Sequence, residues 1–177
     1  MNKKSPLIAI LLIFLLLRES YAMSTNKFAT DCLFSSISGV ITHNGVPVAG
    51  ATLKRSASKA HTSGEIVDEA TTDVKGYFSM PALYERNVIA RVLPMEFAIS
   101  QKIVLTYNGN EYDMWTGVKR KREENAEANG EPLIVQCDLT NERKLKQVNG
   151  NPIFSICTWG AEEDAPLDIP PPEPDDE

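Results

Sequence analysis

The clearest structural signal in the chain is ISGVITHNGVPVAGATL, residues 37–53. Two segments rich in apolar and β-branched residues lie on either side of the dipeptide Asn44-Gly45. Asn-Gly in this setting predicts a tight β-hairpin, because both residues tolerate the positive φ angles of a type I′ turn. We therefore predict two antiparallel strands, Ile37–Thr42 and Val46–Leu53.

Further turn signals separate other short apolar segments along the chain. A second Asn-Gly pair lies at residues 108–109, so its flanking segments again form a predicted hairpin. Additional strands are expected at Ile66–Thr72, Tyr77–Met80, Val88–Leu93, Ile99–Tyr107, Asn110–Trp115, Leu133–Leu139 and Ile153–Trp159. Many short strands without a long amphipathic helix predict an all-β fold, an antiparallel β-sandwich.

Three segments lack a strand pattern. We interpret Lys54–Glu65 as a long polar loop. Lys119–Gly130 is charged and has no apolar stripe of helical period, so at most it forms a short exposed helix. Residues 161–177 hold five prolines and eight acidic side chains with no basic one. Such a composition predicts a disordered, extended tail.

A family resemblance rests on three motifs: Gly39-Val40-Ile41, the run from Gly45 to Leu53, and the run from Thr72 to Phe78 followed by Pro81. Together they resemble the carboxypeptidase regulatory-like domain. The resemblance covers about residues 37–83 well and the later strands in outline. It implies a transthyretin-like, or prealbumin-like, sandwich with Ig-like Greek-key topology. It further implies an accessory or binding role, and the motifs carry no catalytic residues.

The first 22 residues have the layout of a cleavable secretory signal peptide. Lys3 and Lys4 precede the apolar run Leu7–Leu17, and Ser20 and Ala22 supply a small-residue cleavage pattern. The apolar run is shorter than the roughly 20 residues that span a bilayer, so we expect no stable membrane insertion after cleavage. The mature protein is expected in the periplasm, with the cell surface and the medium as alternatives.

The chain is predicted to hold one folded domain, because about 100–150 residues suffice for a single core. We divide it into a signal peptide at 1–22, an N-terminal lead-in at 23–36, the β-sandwich at 37–160 and the acidic tail at 161–177.

The charge of the exported chain is concentrated in its tail. Residues 23–160 carry 15 acidic and 15 basic side chains, which argues against nucleic-acid binding, since that needs a net basic face. Basic residues cluster at Lys119, Arg120, Lys121 and Arg122. This run is either a solvated loop or a contact for an acidic partner or for the tail.

Aromatic side chains add a second candidate contact. Tyr112 and Trp115, with Trp159, either pack in the core or form a recognition patch. We therefore count Tyr112 and Trp115 as candidate partner contacts beside the basic run.

Three cysteines are disulfide candidates in an exported protein. Cys137 and Cys157 lie in two predicted strands that can run antiparallel, with a turn at residues 149–152 between them. Cross-strand neighbours bring sulfurs into bonding range, so we predict a Cys137–Cys157 disulfide. Cys32 is then free, or it links two chains as a dimer.

The sequence shows no constellation for catalysis, metal binding or a cofactor. His43 falls in a predicted turn and His61 in the predicted polar loop. The serines near His61 lack the strand-turn-helix setting of a nucleophile elbow, and the cysteines lack the spacing of a zinc site. Lys54 is a candidate for an internal isopeptide bond, which related β-domains form. We expect no enzyme activity, no metal and no cofactor.

These observations favour a non-enzymatic module that binds another protein through an edge strand or loops of the sandwich. Three alternatives stay open. The protein is an inhibitor or immunity protein against a secreted toxin or hydrolase, a structural envelope component, or a transthyretin-like hydrolase that depends on His43 or His61.

Overall fold

The computed structural model describes residues 30–59, 64–86 and 96–161 of the chain. These residues form short β-strands joined by turns, together with a 3₁₀ helix at Ala126–Ala128. The strands are β1 (Thr30–Phe34), β2 (Ile37–His43), β3 (Val46–Pro47), β4 (Thr52–Lys59), β5 (Glu65–Thr71), β6 (Tyr77–Met80), β7 (Leu83–Arg86), β8 (Ile99–Tyr107), β9 (Asn110–Lys119), β10 (Leu133–Asp138), β11 (Lys144–Val148), β12 (Asn151–Ser155) and β13 (Cys157–Thr158).

The strands pair into three sheets. The large sheet has the order β11-β12-β9-β8-β4-β5, and its neighbouring strands are antiparallel. The small sheet has the order β13-β10-β2, and β2 pairs further with β3 and with β6. In this sheet β2 and β10 run parallel, and the other described pairs are antiparallel. An additional antiparallel pair joins β1 to β7. The predicted all-β sandwich is confirmed.

The core lies between the inner faces of the sheets. Along β8, buried and exposed side chains alternate, with Ile103 and Leu105 completely buried. This period of two turns one face of the strand inward. Aromatic rings fill the centre, where the ring centroid of Trp115 lies 5.9 Å from that of Phe34 and 4.9 Å from that of Trp159.

Both Asn-Gly turns occur where they were predicted. The φ angles are 54° at Asn44 and 76° at Gly45, and 50° at Asn108 and 76° at Gly109. The second turn joins β8 to β9 in a long hairpin. The strand predictions at residues 66–72 and 77–80 are confirmed as β5 and β6.

The first hairpin is shorter than predicted. β3 ends at Pro47, and the chain then leaves the small sheet and enters the large sheet as β4. Gly50 lies at this crossing with a φ of 73°, a conformation that glycine adopts without the Cβ penalty of other residues. The prediction of one continuous strand at Val46–Leu53 is therefore wrong.

The prediction of a polar loop at Lys54–Glu65 is also wrong. Most of its described residues belong to β4, which pairs with β5 on one side and β8 on the other. Arg55 points into the core with no exposed surface, and its Nε donates to Oδ1 of Asp68 over 2.9 Å. Because a charged residue occupies this inward position, the sequence does not show the alternation of apolar and polar residues that indicates a strand.

The N-terminal boundary of the folded domain lies earlier than predicted. The predicted lead-in contains β1, whose Cys32, Leu33 and Phe34 are at most 2% exposed. Residues 31–34 are therefore buried with the core.

The segment Lys119–Gly130 also differs from its prediction. Its 3₁₀ helix is short as expected, but it is buried and not exposed, with Ala126 the most accessible of its residues at 6%. Within this buried helix, Glu127 pairs with Lys119, which is also buried.

The predicted strand Ile153–Trp159 is divided between the two sheets. β12 belongs to the large sheet and β13 to the small sheet, and the Asn149-Gly150 turn joins β11 to β12. Within the small sheet, Cys137 lies opposite Cys157, and the two form the predicted disulfide. The predicted strand at Val88–Leu93, the signal peptide and the tail after Ala161 lie outside the described residues.

Candidate functional site

A cluster of polar side chains is buried around Glu127 of the 3₁₀ helix. Its Oε2 accepts hydrogen bonds from Lys119 Nζ and Ser35 Oγ, each over 2.6 Å, and its Oε1 accepts one from Gln101 Nε2 over 2.7 Å. All four residues are at most 1% exposed. The cluster thus joins β8, β9 and the β1–β2 connection inside the sandwich.

Neighbouring groups satisfy the remaining polar atoms of this cluster. The indole of Trp115 donates to Gln101 Oε1 over 3.3 Å, and the indole of Trp159 donates to the backbone oxygen of Glu127 over 2.9 Å. The backbone N–H of Asn125 donates to Ser35 Oγ over 2.7 Å. A buried polar network is stabilising when its members are paired in this way.

The Glu127 carboxyl group is ionised at neutral pH. Burial alone acts to raise its pKa, but the charge of Lys119 and the hydrogen bonds from Lys119, Ser35 and Gln101 outweigh burial and lower the pKa. Glu127 and Lys119 therefore form a buried ion pair. Neither side chain reaches solvent in this fold, so the pair has the geometry of a structural link and not of an open reaction centre.

Cys32 lies beside this cluster with 1% of its surface exposed and no disulfide. Burial raises the pKa of its thiol to about 11, so the thiol stays protonated at neutral pH. The dimer through Cys32 stays a prediction, and it requires the sulfur to leave the core.

An exposed set of apolar side chains lies on the outer face of the small sheet. It consists of Tyr77 on β6, Val40 on β2 and Ile134 on β10, with exposed fractions of 46%, 38% and 62%. Val40 is directly opposite Tyr77, and on its other side it is opposite Gln136, two residues after Ile134 on β10. These three residues, which we call the apolar band, form a diagonal across three neighbouring strands.

Two depressions border the apolar band. Ile134 contributes to one of about 180 Å³, together with Ser38 and Ser79. Val40 contributes to another of about 400 Å³, which extends to Asp138. The outer face therefore combines protruding apolar groups with shallow concave surfaces.

Asp138 fixes the end of this face. Its carboxylate accepts hydrogen bonds from the hydroxyl groups of Thr140 and Thr42 and from the backbone N–H of Gly45. These bonds, led by that of Thr140, hold the pKa of Asp138 well below its usual range. The first Asn-Gly turn is thereby tied to β10.

Comparison with known families decides where this chain belongs. Residues 37–142 match the family described as a domain of unknown function, DUF6795, and they are 106 of the 177 residues, more than half of the chain. The chain belongs to the DUF6795 family. No curated protein and no solved structure matches it. The resemblance to the carboxypeptidase regulatory-like domain stays a prediction.

The DUF6795 match contains the apolar band, the buried ion pair and Cys137. It begins with β2 and ends after β10, so it contains neither β1 nor β11, β12 and β13. In this chain, then, the DUF6795 region is completed by strands from both flanking segments.

The basic run that was predicted as a partner contact largely forms ion pairs within the chain. Arg120 pairs with Glu96 over 2.8 Å and Arg122 with Asp31 over 2.7 Å, while Lys121 is exposed. Lys119 has no exposed surface, because it is the partner of Glu127.

The prediction that Tyr112 and Trp115 contact a partner also needs correction. Trp115 is completely buried between Phe34 and Trp159, and Tyr112 is partly buried against the core. In this fold Trp115 and Lys119 cannot contact a partner, so both are removed from the candidate contacts.

Sequence reasoning missed the apolar band, although a signal for it was present. Val40-Ile41 and Leu133-Ile134-Val135 place apolar residues at successive positions of a strand. Successive positions point to opposite faces, so such runs indicate apolar groups on the outer face as well as in the core.

No helix within residues 30–59, 64–86 and 96–161 is long and apolar enough to cross a membrane. In the same ranges, no group of three or more His, Cys, Asp or Glu side chains is arranged to hold a metal ion.

Proposed function

We propose that this DUF6795 protein is a non-enzymatic, exported binding module that engages another protein through the apolar band on the small sheet. The observation that carries the proposal is the exposure of three large apolar side chains on three adjacent strands. Isolated exposed apolar residues are normal, but contiguous ones mark interaction surfaces. Tyrosine and other aromatic side chains are enriched at the centres of protein interfaces.

The free edges of the large sheet are less suited to binding than this face. The edge strand β11 carries Lys144 and Lys146, and the edge strand β5 carries the inward-pointing Asp68. Charges at these positions discourage the addition of another strand. We therefore place the contact on the face and not on an edge.

The disulfide and the predicted signal peptide together support the proposed compartment. A Cys137–Cys157 bond persists in an oxidising compartment and is rare in the cytoplasm. Export to the periplasm agrees with both, and release into the medium or attachment at the surface remain alternatives to be separated by cell fractionation.

Site-specific photocrosslinking in the native host tests the proposed face. A crosslinker at Gln136, beside the apolar band, is expected to yield a defined adduct with a second protein. A crosslinker at Lys102, exposed on the large sheet, is the matched control and is expected to yield none. Adducts of equal amount from both positions, or from Lys102 alone, would contradict the proposal.

A substitution then tests the apolar contact itself. Ile134→Thr keeps a β-branched residue but removes apolar surface, which costs about 1–2 kcal/mol, or roughly 5- to 30-fold in Kd for the captured partner. Val67→Thr is the control, because Val67 is 43% exposed on β5 of the other sheet. Equal losses in the two variants would show that the band has no special role.

A further inference from the structure

We infer that the outer face of the large sheet holds a second binding site, a groove that takes a neutral oligosaccharide. The groove lies on a different sheet from the apolar band, and the inference does not depend on the function proposed for that band. It is carried by a concave surface in which four side chains bear hydroxyl groups and one is an exposed phenyl ring.

The groove runs across the strands of the large sheet. It has a volume of about 420 Å³, within the range of ligand sites, and is lined by residues of β5, β4, β8, β9 and β12. Directly opposite positions on four of these strands form a row of Phe154, Thr116, Lys102 and Ser56. Three strand spacings separate the ends of this row, or about 14 Å. A row of this length accommodates a short oligosaccharide.

The hydroxyl groups of the groove are available to a ligand. They belong to Ser56, Ser58, Ser100 and Thr116. Within residues 30–59, 64–86 and 96–161, none of these four hydroxyls forms a hydrogen bond with another protein group. A hydroxyl group both donates and accepts hydrogen bonds. The hydroxyls of a saccharide do the same, so the two sets can pair in either direction.

Phe154 supplies an apolar platform at one end of the groove. It is 45% exposed on β12, and the guanidinium of Arg143 lies 5.9 Å from the centroid of its ring. The face of a phenyl ring carries partial negative charge, whereas the C–H groups on one side of a pyranose ring carry partial positive charge. A sugar that stacks on Phe154 therefore covers apolar surface and can direct its hydroxyls toward the polar side chains beside it.

The charges around the groove are balanced, which favours a neutral ligand. Lys102 and Arg143 each lie 3.4 Å from a carboxylate oxygen of Asp113. Glu65 lines the end of the groove on β5. Two positive and two negative side chains thus border this surface. Nucleic acid and other polyanions need a net basic face, which such a border does not provide.

The composition of the groove also differs from that of a protein interface. The centres of protein interfaces are depleted in serine, lysine and glutamate, and all three types line the groove. Its central strands β4, β8 and β9 are paired on both sides, so their backbone groups are not free to bind an added peptide strand. Recognition on this face must use side chains, which suits a saccharide.

An array of neutral oligosaccharides built from glucose, galactose, mannose and N-acetylglucosamine tests the inference on the chain from Met23 to Glu177. We expect binding to at least one member of the array. In an NMR titration with that member, the backbone amide signals of Ser100 and Thr116 should shift. The amide signals of Val40 and Ile134 on the small sheet are the internal control and should stay in place.

An aromatic substitution tests the platform. Phe154→Ala is expected to weaken binding of the saccharide by about tenfold, because the stacking surface is lost. Tyr77→Ala is the matched control, since Tyr77 is an aromatic residue of similar exposure, 46%, on the small sheet. Its removal should leave the affinity for the saccharide unchanged. Urea unfolding of both variants verifies that they retain the fold.

A single hydroxyl gives a milder test that does not depend on the stability of Phe154→Ala. Ser100→Ala should weaken binding by roughly 2- to 10-fold, the value of one hydrogen bond. Ser79→Ala is its control, because Ser79 is also exposed but lies on the small sheet. Its affinity for the saccharide should equal that of the parent.

The outcomes separate this site from the apolar band. Absence of binding to every member of the array would overturn the inference, and so would equal losses in Phe154→Ala and Tyr77→Ala. Shifts confined to the small sheet would also overturn it, because the saccharide would then occupy the other face. Failure of protein crosslinking at Gln136, with saccharide binding intact, would contradict the proposed function and leave this site standing.

Discussion

The carboxylate of Glu127 is held by donors from three distant positions, Ser35, Gln101 and Lys119. Such a pair contributes less than its geometry suggests, because burial of both charges costs free energy. Removing one member of the pair costs much more free energy, because the other charge is then left without a partner in the core. The pair is therefore a sensitive residue-scale probe of this fold.

We expect Glu127→Gln to lower the free energy of unfolding by about 3–5 kcal/mol, because Lys119 would keep a buried charge without a partner. Urea unfolding at neutral pH measures the change. Glu96→Gln is the control, since the exposed Arg120–Glu96 pair contributes at most about 1 kcal/mol. A double variant, Lys119→Met with Glu127→Gln, should recover part of the loss.

The pH dependence of the unfolding free energy gives a second test of the Glu127–Lys119 pair. Because the folded state lowers the pKa of Glu127, its stabilisation is present above the ordinary carboxyl pKa of about 4.5 and is lost as the pH falls toward the lowered value. Glu127→Gln should therefore flatten the acid limb of the stability profile. A variant as stable as the parent, with the same acid limb, would refute the role of the pair.

At the scale of elements, the sequence predicted turns more reliably than strand partners. The Asn44-Gly45 and Asn108-Gly109 turns were predicted because a tight turn depends on adjacent residues. The strand β4 was missed, since its inward Arg55 finds its partner, Asp68, on β5. Asp68 compensates the buried charge of Arg55. The residues next to Arg55 in the sequence do not reveal this pairing.

The parallel pairing of β2 with β10 depends on Gly39. A Cβ atom there would collide with the backbone oxygen of Val135 and lie 2.7 Å from its Cγ2. We expect Gly39→Ala to lower the free energy of unfolding by about 1–3 kcal/mol, the usual cost of overpacking. Thermal or urea unfolding measures it.

Gly160→Ala is the matched control for this substitution, because an added Cβ there meets no other heavy atom within 4 Å. Its effect should stay within about 1 kcal/mol. Equal stabilities of Gly39→Ala and the parent would show that β2 and β10 do not approach as closely as described.

For the whole molecule, the Cys137–Cys157 bond ties the edge strand β13 to β10 across 20 residues of sequence. A loop of that length stabilises the folded state by about 3 kcal/mol, largely by restricting the unfolded chain. The intervening residues include β11 and β12 of the large sheet.

We expect the double variant Cys137→Ala, Cys157→Ala to lose about 3 kcal/mol of unfolding free energy. A reducing agent should destabilise the parent by a similar amount and leave the variant unchanged, which is the control. If the reductant has no effect on the parent, the disulfide is either absent or without influence on stability.

The amino-acid sequence alone was sufficient for the all-β class, both Asn-Gly turns and the Cys137–Cys157 pairing, because turns and alternation are properties of neighbouring residues. The tertiary structure alone showed that Lys119 is buried against Glu127 and that Val40, Tyr77 and Ile134 share one face. Those contacts join residues far apart in the chain, and their positions depend on strand order and on the crossing between sheets, which no local pattern encodes.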